Sequence, residues 1–90
     1  MFRYRSDRQT DYWQQGYAYF VSHRYASLPE ERRKRIDALC LECGGDYAEA
    51  LHDYMTRDLS AAAVCRKYYL SERTLMRAVN RYYLKFTDSL

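Results

Sequence analysis

The sequence holds one proline, three glycines and three cysteines in 90 residues, and each scarcity excludes something. So little Gly and Pro leaves few turn residues for hairpins, which argues against an antiparallel sheet. Three cysteines cannot all pair within one chain, so reduced thiols in a cytoplasm are the simpler reading. No apolar run approaches the roughly 20 residues that a membrane-crossing helix needs. The opening MFRYRSDRQ is followed by no hydrophobic stretch of the kind a secretory leader carries. Phenylalanine is sparse as well, 3 against 11 tyrosines. Tyrosine buries its ring while keeping its hydroxyl wet, which suits half-buried surfaces and interfaces.

Hydrophobic residues make up 48% and charged residues 30%, a balance that folds rather than one that stays disordered. The length fits one domain spanning 1–90, small enough for self-association to be a useful extra source of stability. The net charge of +3 is mild, but it is unevenly spread. Residues 60–90 carry +4, residues 46–59 carry −3 and residues 1–45 carry +2. A basic C-terminal third beside an acidic middle places one cationic face on an otherwise balanced protein, as an anionic polymer requires. Twelve of the 15 basic residues are arginine, the side chain best shaped for phosphates and guanine edges.

The apolar spacing predicts an all-α domain of five helices, without repeats or low-complexity segments. Residues 1–9 read as frayed. Asp11 caps a helix to about Ser27 whose core stripe is Trp13, Tyr17 and Phe20. Tyr12, Tyr19 and Tyr25 are left for a partner surface, so this helix is a candidate oligomerisation element. Ser27 and Pro29 open a second helix, which carries Arg32-Arg33-Lys34-Arg35 opposite Glu30 and Glu31 and stops at Gly44-Gly45. Asp46 caps a third, to about Arg57. Two more follow, from Ser60 to Tyr68 and from Ser71 to about Phe86.

The segment from Ser60 to Tyr83 carries the strongest signal. Its apolar positions fit a helix-turn-helix, in which two steeply crossed helices lock through a few side chains. Val64 and Tyr68 supply the inner face of the first helix and the small Cys65 its close approach. Leu70 plugs the turn, and Leu75, Ala78 and Val79 supply the inner face of the second helix. The turn position that favours glycine, because it needs a positive φ, is Tyr69. The outward face of the second helix carries Arg73, Met76, Arg77, Asn80 and Arg81. Arginine can grip guanine, and asparagine adenine, with two hydrogen bonds each. Ser71 and Thr74, at the helix start, are placed to reach phosphate, and Glu72 to accept from cytosine or to cap.

The pattern Asp53-Tyr54, five residues, Ser60, three residues, Val64-Cys65-Arg66-Lys67-Tyr68 resembles the adhesin biosynthesis transcription regulators. These are the PapB-type regulators of fimbrial operons in enteric bacteria, and the resemblance covers about Leu28 to Tyr83. It implies a bacterial regulator that binds AT-rich, repeated sites as an oligomer along DNA. It also implies that Ser60 and Lys67 face the DNA backbone while Val64, Cys65 and Tyr68 pack. The helix SERTLMRAVNR is more basic than its counterpart in that family, so no target sequence or groove carries over.

Other constellations point to less. Cys40 and Cys43, with His52 and Cys65, are four possible zinc ligands, but a second close pair is missing and buried thiols explain them. His23 and His52 line up with no nucleophile, and His52 among Asp46, Glu49 and Asp53 reads as a solvated polar face. The sequence therefore leads to a non-enzymatic, cofactor-free, cytoplasmic and nucleoid-associated DNA-binding regulator, with double-stranded DNA and further copies of itself as partners. The alternative is a helical protein–protein interaction module, an antirepressor or a partner of RNA polymerase. RNA binding is weaker, because no stacking sheet is expected.

Overall fold

A computed structural model describes residues 2–88, with side chains to Phe86. The chain is all-helical among the described residues. Helix α1 spans Tyr12–Ser22, α2 Glu30–Gly44, α3 Ala48–Thr56, α4 Ala61–Tyr68 and α5 Glu72–Asp88, with 3-10 turns at Tyr25–Ser27 and Gly45–Tyr47. None of these helices is long and apolar enough to cross a membrane.

Helix α5 is the shared wall of the domain and packs against each of the other four helices. Its Leu75, Ala78, Val79, Tyr82, Tyr83 and Phe86 are all buried, and they meet Ala18 and Tyr19 of α1, Ile36, Leu39, Cys40 and Cys43 of α2, Leu51 and Met55 of α3 and Val64 of α4 in one core. Within that core the Ser22 hydroxyl and the Tyr82 phenol share a buried 2.6 Å hydrogen bond. It satisfies both groups and fixes α1 on α5.

The ends of the helices follow local chemistry. Asp11 and Gln14 form a reciprocal capping box at the start of α1. The Ser60 hydroxyl accepts the Ala63 amide and the Ser71 hydroxyl the Thr74 amide, so α4 and α5 each begin on a serine cap. Two expected caps are replaced. Ser27 turns back to donate to the Arg24 carbonyl, and α2 begins after Pro29 without a side-chain cap. Asp46 lies inside a 3-10 turn, and α3 starts later, after Tyr47.

Helix α1 buries a different face from the expected one, although Tyr12 is exposed as expected. Trp13 is 79% exposed and Phe20 59%, with Tyr17 exposed too, while Tyr19 is buried at 7% beside Gln15, Gly16, Ala18 and Ser22. Small residues allow α1 to lie close to its neighbours, and a glutamine with four bonding sites has more to gain inside than an unpaired aromatic. Those bonds go to the N-terminal segment, which is docked rather than frayed. The Gln15 amide donates to the carbonyls of Arg5 (3.0 Å) and Thr10 (2.8 Å). Its oxygen accepts from the Arg5 backbone N–H (3.1 Å) and from the Arg8 guanidinium (2.9 Å). Phe2 meanwhile packs against the rings of Tyr12, Tyr19 and Phe20.

The short helices α3 and α4 are clamped by Asp53. Its carboxylate accepts from the Lys67 ammonium at 2.8 Å and from the Tyr68 phenol at 2.6 Å, with Arg57 3.6 Å away. Burial pushes this carboxyl up, but the bonds from Lys67 and Tyr68 and the charges of Lys67 and Arg57 outweigh it and leave it below the usual value. A carboxyl lowered in this way stabilises the fold above its ordinary pKa of 3.8, and the contribution is lost as pH falls through the lower folded value. Asp53→Asn should therefore cost about 1–3 kcal/mol near neutral pH, and the gap from wild type should narrow as pH falls through the lowered folded value. Urea unfolding of both chains across this range tests it, and a gap that persists in acid would refute the clamp.

Between α4 and α5 the chain reverses in the three residues 69–71. Tyr69 adopts the left-handed conformation at φ 56° and ψ 47°, and its amide and that of Leu70 both donate to the Cys65 carbonyl. Its side chain is 95% exposed, so packing offers little compensation for a backbone that costs ~1–2 kcal/mol in a residue with a Cβ. Tyr69→Gly relieves this cost against the ~0.4–1 kcal/mol that glycine loses through the unfolded chain. The variant should unfold at a slightly higher temperature than wild type, whereas Tyr69→Ala should not.

Candidate functional site

The outward side of α5 is the candidate site, and its residues differ in how free they are. Arg73 and Arg77 stand four residues apart, both exposed, and neither has a hydrogen-bond or ion-pair partner among the described residues. Half-buried Met76 lies beside them, and exposed Leu84 continues their line along the helix.

Asn80 is on the same face, but its side-chain oxygen already accepts a 2.6 Å hydrogen bond from Arg8 Nε. Arg8 is held on three further sides. It donates to Gln15 (2.9 Å), lies 3.7 Å from the Met76 sulfur and sits over the Tyr83 ring at 4.8 Å. Burial lowers the pKa of its guanidinium below the ordinary arginine value. Such contacts fix the Asn80 amide in one orientation, its NH2 turned away from Arg8. Sequence reasoning misses Arg8 because it lies 72 residues from Asn80. The one hint is the density of arginine in an N-terminal stretch with no helical period.

Arg81 departs from its expected role. Its Nε donates to the Cys43 carbonyl at 3.0 Å, at the end of α2, where helix carbonyls lack intrahelical donors. Lys85, one turn on, lies 3.6 Å from Glu42. The two basic residues tie α5 to the C-terminus of α2, so Arg81 is first a helix cap, although its residue remains exposed.

The residues expected to flank this face are also partly committed to the fold. Lys67 points to Asp53, because that carboxylate is nearly buried and needs a cation. The Ser60 and Ser71 hydroxyls cap their helices, and the Thr74 hydroxyl is 2.9 Å from that of Ser71. Glu72 is exposed, in the first turn of α5. The structure thus brings Arg73, Met76, Arg77 and Asn80 together, adds Arg8, and sets Lys67 and Arg81 to internal tasks.

Two other clusters hold chemically capable side chains. His52 is bonded to Asp37 on α2 at 2.8 Å rather than solvated among the acids of α3, and the Tyr25 phenol donates to the same Asp37 oxygen at 2.8 Å. Thr56 lies 3.4 Å from the other ring nitrogen of His52, but its hydroxyl donates to the His52 backbone carbonyl at 2.7 Å. The group links α2, α3 and the Tyr25 turn, and the threonine is bonded within its own helix rather than poised as a nucleophile. Cys40 and Cys43 are buried, and burial pushes the Cys40 thiol up to about 12 and the Cys43 thiol upward, which disfavours the reactive thiolate form. No three metal-ligating side chains gather among the described residues.

Compared with known proteins, the chain matches no family model, no curated protein and no solved structure.

Proposed function

We propose that this chain is a DNA-binding transcription regulator that uses α4 and α5 as a helix-turn-helix and reads a groove with α5. The observation that carries the proposal is the pair Arg73 and Arg77, exposed on one face of a helix whose other face is the core. A solvated helix of a bundle commonly balances its charges with i,i+4 partners of opposite sign, as Lys34 and Glu30 do here at 3.4 Å. Arg73 and Arg77 have no such partners, so their charges are available to phosphates or guanine edges. Asn80, oriented by Arg8, is the adenine-reading candidate. The short turn, the serine caps and the inward Val64, Leu75, Ala78 and Val79 agree with the motif.

The resemblance of Asp53-Tyr54 through Tyr68 to the PapB-type regulators extends the proposal to a fimbrial or adhesin operon and to action as a cytoplasmic oligomer on DNA. Oligomerisation is supported by the exposed stripe Trp13, Tyr17 and Phe20, spaced one helical turn apart on α1. A single small module reads too few base pairs to be specific, and pairing would double the site. The same stripe favours the second reading, a protein-interaction module without DNA contacts, because large aromatics anchor protein interfaces. Neither reading involves catalysis or a cofactor.

The two readings differ in salt dependence. Binding to a labelled AT-rich duplex, followed by fluorescence anisotropy, should weaken steeply from low to physiological salt if several phosphates are contacted. Arg73→Ala/Arg77→Ala should bind at least about tenfold more weakly, with its helical spectrum unchanged because both side chains lie outside the core. Equal affinity of the folded double variant would remove α5 as the reading element.

A further inference from the structure

A cleft of about 760 Å³ opens between the N-terminal segment, the α3–α4 junction and the first turns of α4 and α5. Arg3, Arg5 and Arg8 line it together with Tyr4, Tyr54 and Met76. Three guanidinium groups on one wall are more positive charge than the packing of this surface requires. Arg8 has its internal partners, but Arg3 and Arg5 are exposed, and Arg5 pairs with Asp7, itself exposed, at 3.1 Å. The pair is two-pointed, with Arg5 Nε also 3.3 Å from the second Asp7 oxygen, but both side chains are solvent-exposed, so a phosphate competes with the Asp7 carboxylate for the same guanidinium edge. Asp58 and Glu72 also line the cleft, so it is an arginine wall facing an acidic rim rather than a uniformly positive basin.

The cleft is continuous with the proposed reading face. Met76 belongs to both, and Arg8 reaches from the cleft wall to Asn80. The wall is also held in place. Gln15 accepts the Arg5 backbone N–H and donates to the Arg5 carbonyl, so the segment carrying these arginines is tied by main-chain bonds that survive changes of side chain. Arginine is the side chain best matched to phosphate, through two parallel hydrogen bonds.

We propose that Arg3 and Arg5 form a phosphate grip that holds the DNA backbone on the flank of α5, giving the protein a second DNA-binding element outside its helix pair. The inference rests on the DNA-binding reading and adds a site that the reading does not require. Phosphate recognition of this kind carries no sequence information. The grip therefore supplies affinity and register while Arg73, Arg77 and Asn80 supply preference. A free phosphate compound shares the chemistry of a backbone phosphodiester, and the test separates the two.

The test measures full-length wild type, Arg3→Gln/Arg5→Gln and Arg3→Lys/Arg5→Lys against an AT-rich and a GC-rich duplex over a range of salt. The glutamine pair should flatten the log–log salt dependence by about 1.8, at ~0.9 for each phosphate no longer neutralised, and weaken both duplexes by the same factor. The lysine pair should restore the slope. In parallel, the Arg3 and Arg5 side-chain N–H resonances should shift when duplex is added but not with inorganic pyrophosphate at equal phosphate concentration. If wild type binds duplex and the glutamine pair keeps the full slope, the grip is wrong and the α5 reading stands. If wild type binds no duplex, both fall. If pyrophosphate alone shifts the resonances, the cleft is a small-anion site and the assignment to DNA is overturned.

Discussion

The two-sidedness of α5 is the constraint on which the rest of the structure depends. One face must be apolar over its whole length, because all four other helices pack against it. The opposite face is then released from packing, and there the chain places Arg73 and Arg77. The same arrangement fixes what surrounds them. Helix α4 is only eight residues long and offers a single fully buried apolar side chain, Val64. It stays in place because Asp53 draws in Lys67 and Tyr68, so an ion-pair cluster stands in for hydrophobic area that so short a helix cannot supply. The place of α4 beside α5 thus rests in part on a polar clamp on α3.

How much of this is legible in the sequence depends on whether the determining partners are local. The α4 and α5 segments can be read nearly to the residue, because their serine caps, apolar spacing and strained Tyr69 act within a few positions of themselves. The end of α2 at Gly44 is readable for the same reason. Helix α1 is not. Hydrophobicity alone assigns Trp13, Tyr17 and Phe20 to the core, yet Gln15 and Ser22 are the fully buried members of that helix alongside Ala18. Each is satisfied by a partner distant in sequence: Gln15 by the backbone of residues 5 and 10, Ser22 by Tyr82. A periodicity argument sees the polarity of a side chain but not the partner that neutralises it.

The candidate site shows the same division. The outward direction of Arg73, Arg77 and Asn80 follows from helical geometry and all three are exposed, whereas Met76, expected on the same face, is half-buried against the core. What the spacing could not supply is competition for those side chains from inside the protein. Arg81 lies on the edge of the face nearest to α2, where an open carbonyl at Cys43 takes its guanidinium. Lys67 lies in the last turn of α4, where the nearly buried Asp53 takes its ammonium. A basic residue on a helix is a candidate ligand for an anion only after the acceptors of its own fold have been counted.

That count also changes the meaning of the acidic middle of the chain. Read as a block, residues 46–59 carry −3 and would repel a polyanion. In the fold, Asp53 is neutralised by Lys67 with Arg57 close by, while the arginines of the N-terminal segment are brought round to stand beside Asp58 and next to α5. The docking of residues 2–10 through Gln15 therefore redistributes charge as well as packing the chain. It moves cations from one end of the sequence to the flank of the helix at the other end. The charge on the flank of α5 is a tertiary property, positioned by a buried glutamine that carries no charge of its own and added to the Arg73 and Arg77 that the helix itself presents.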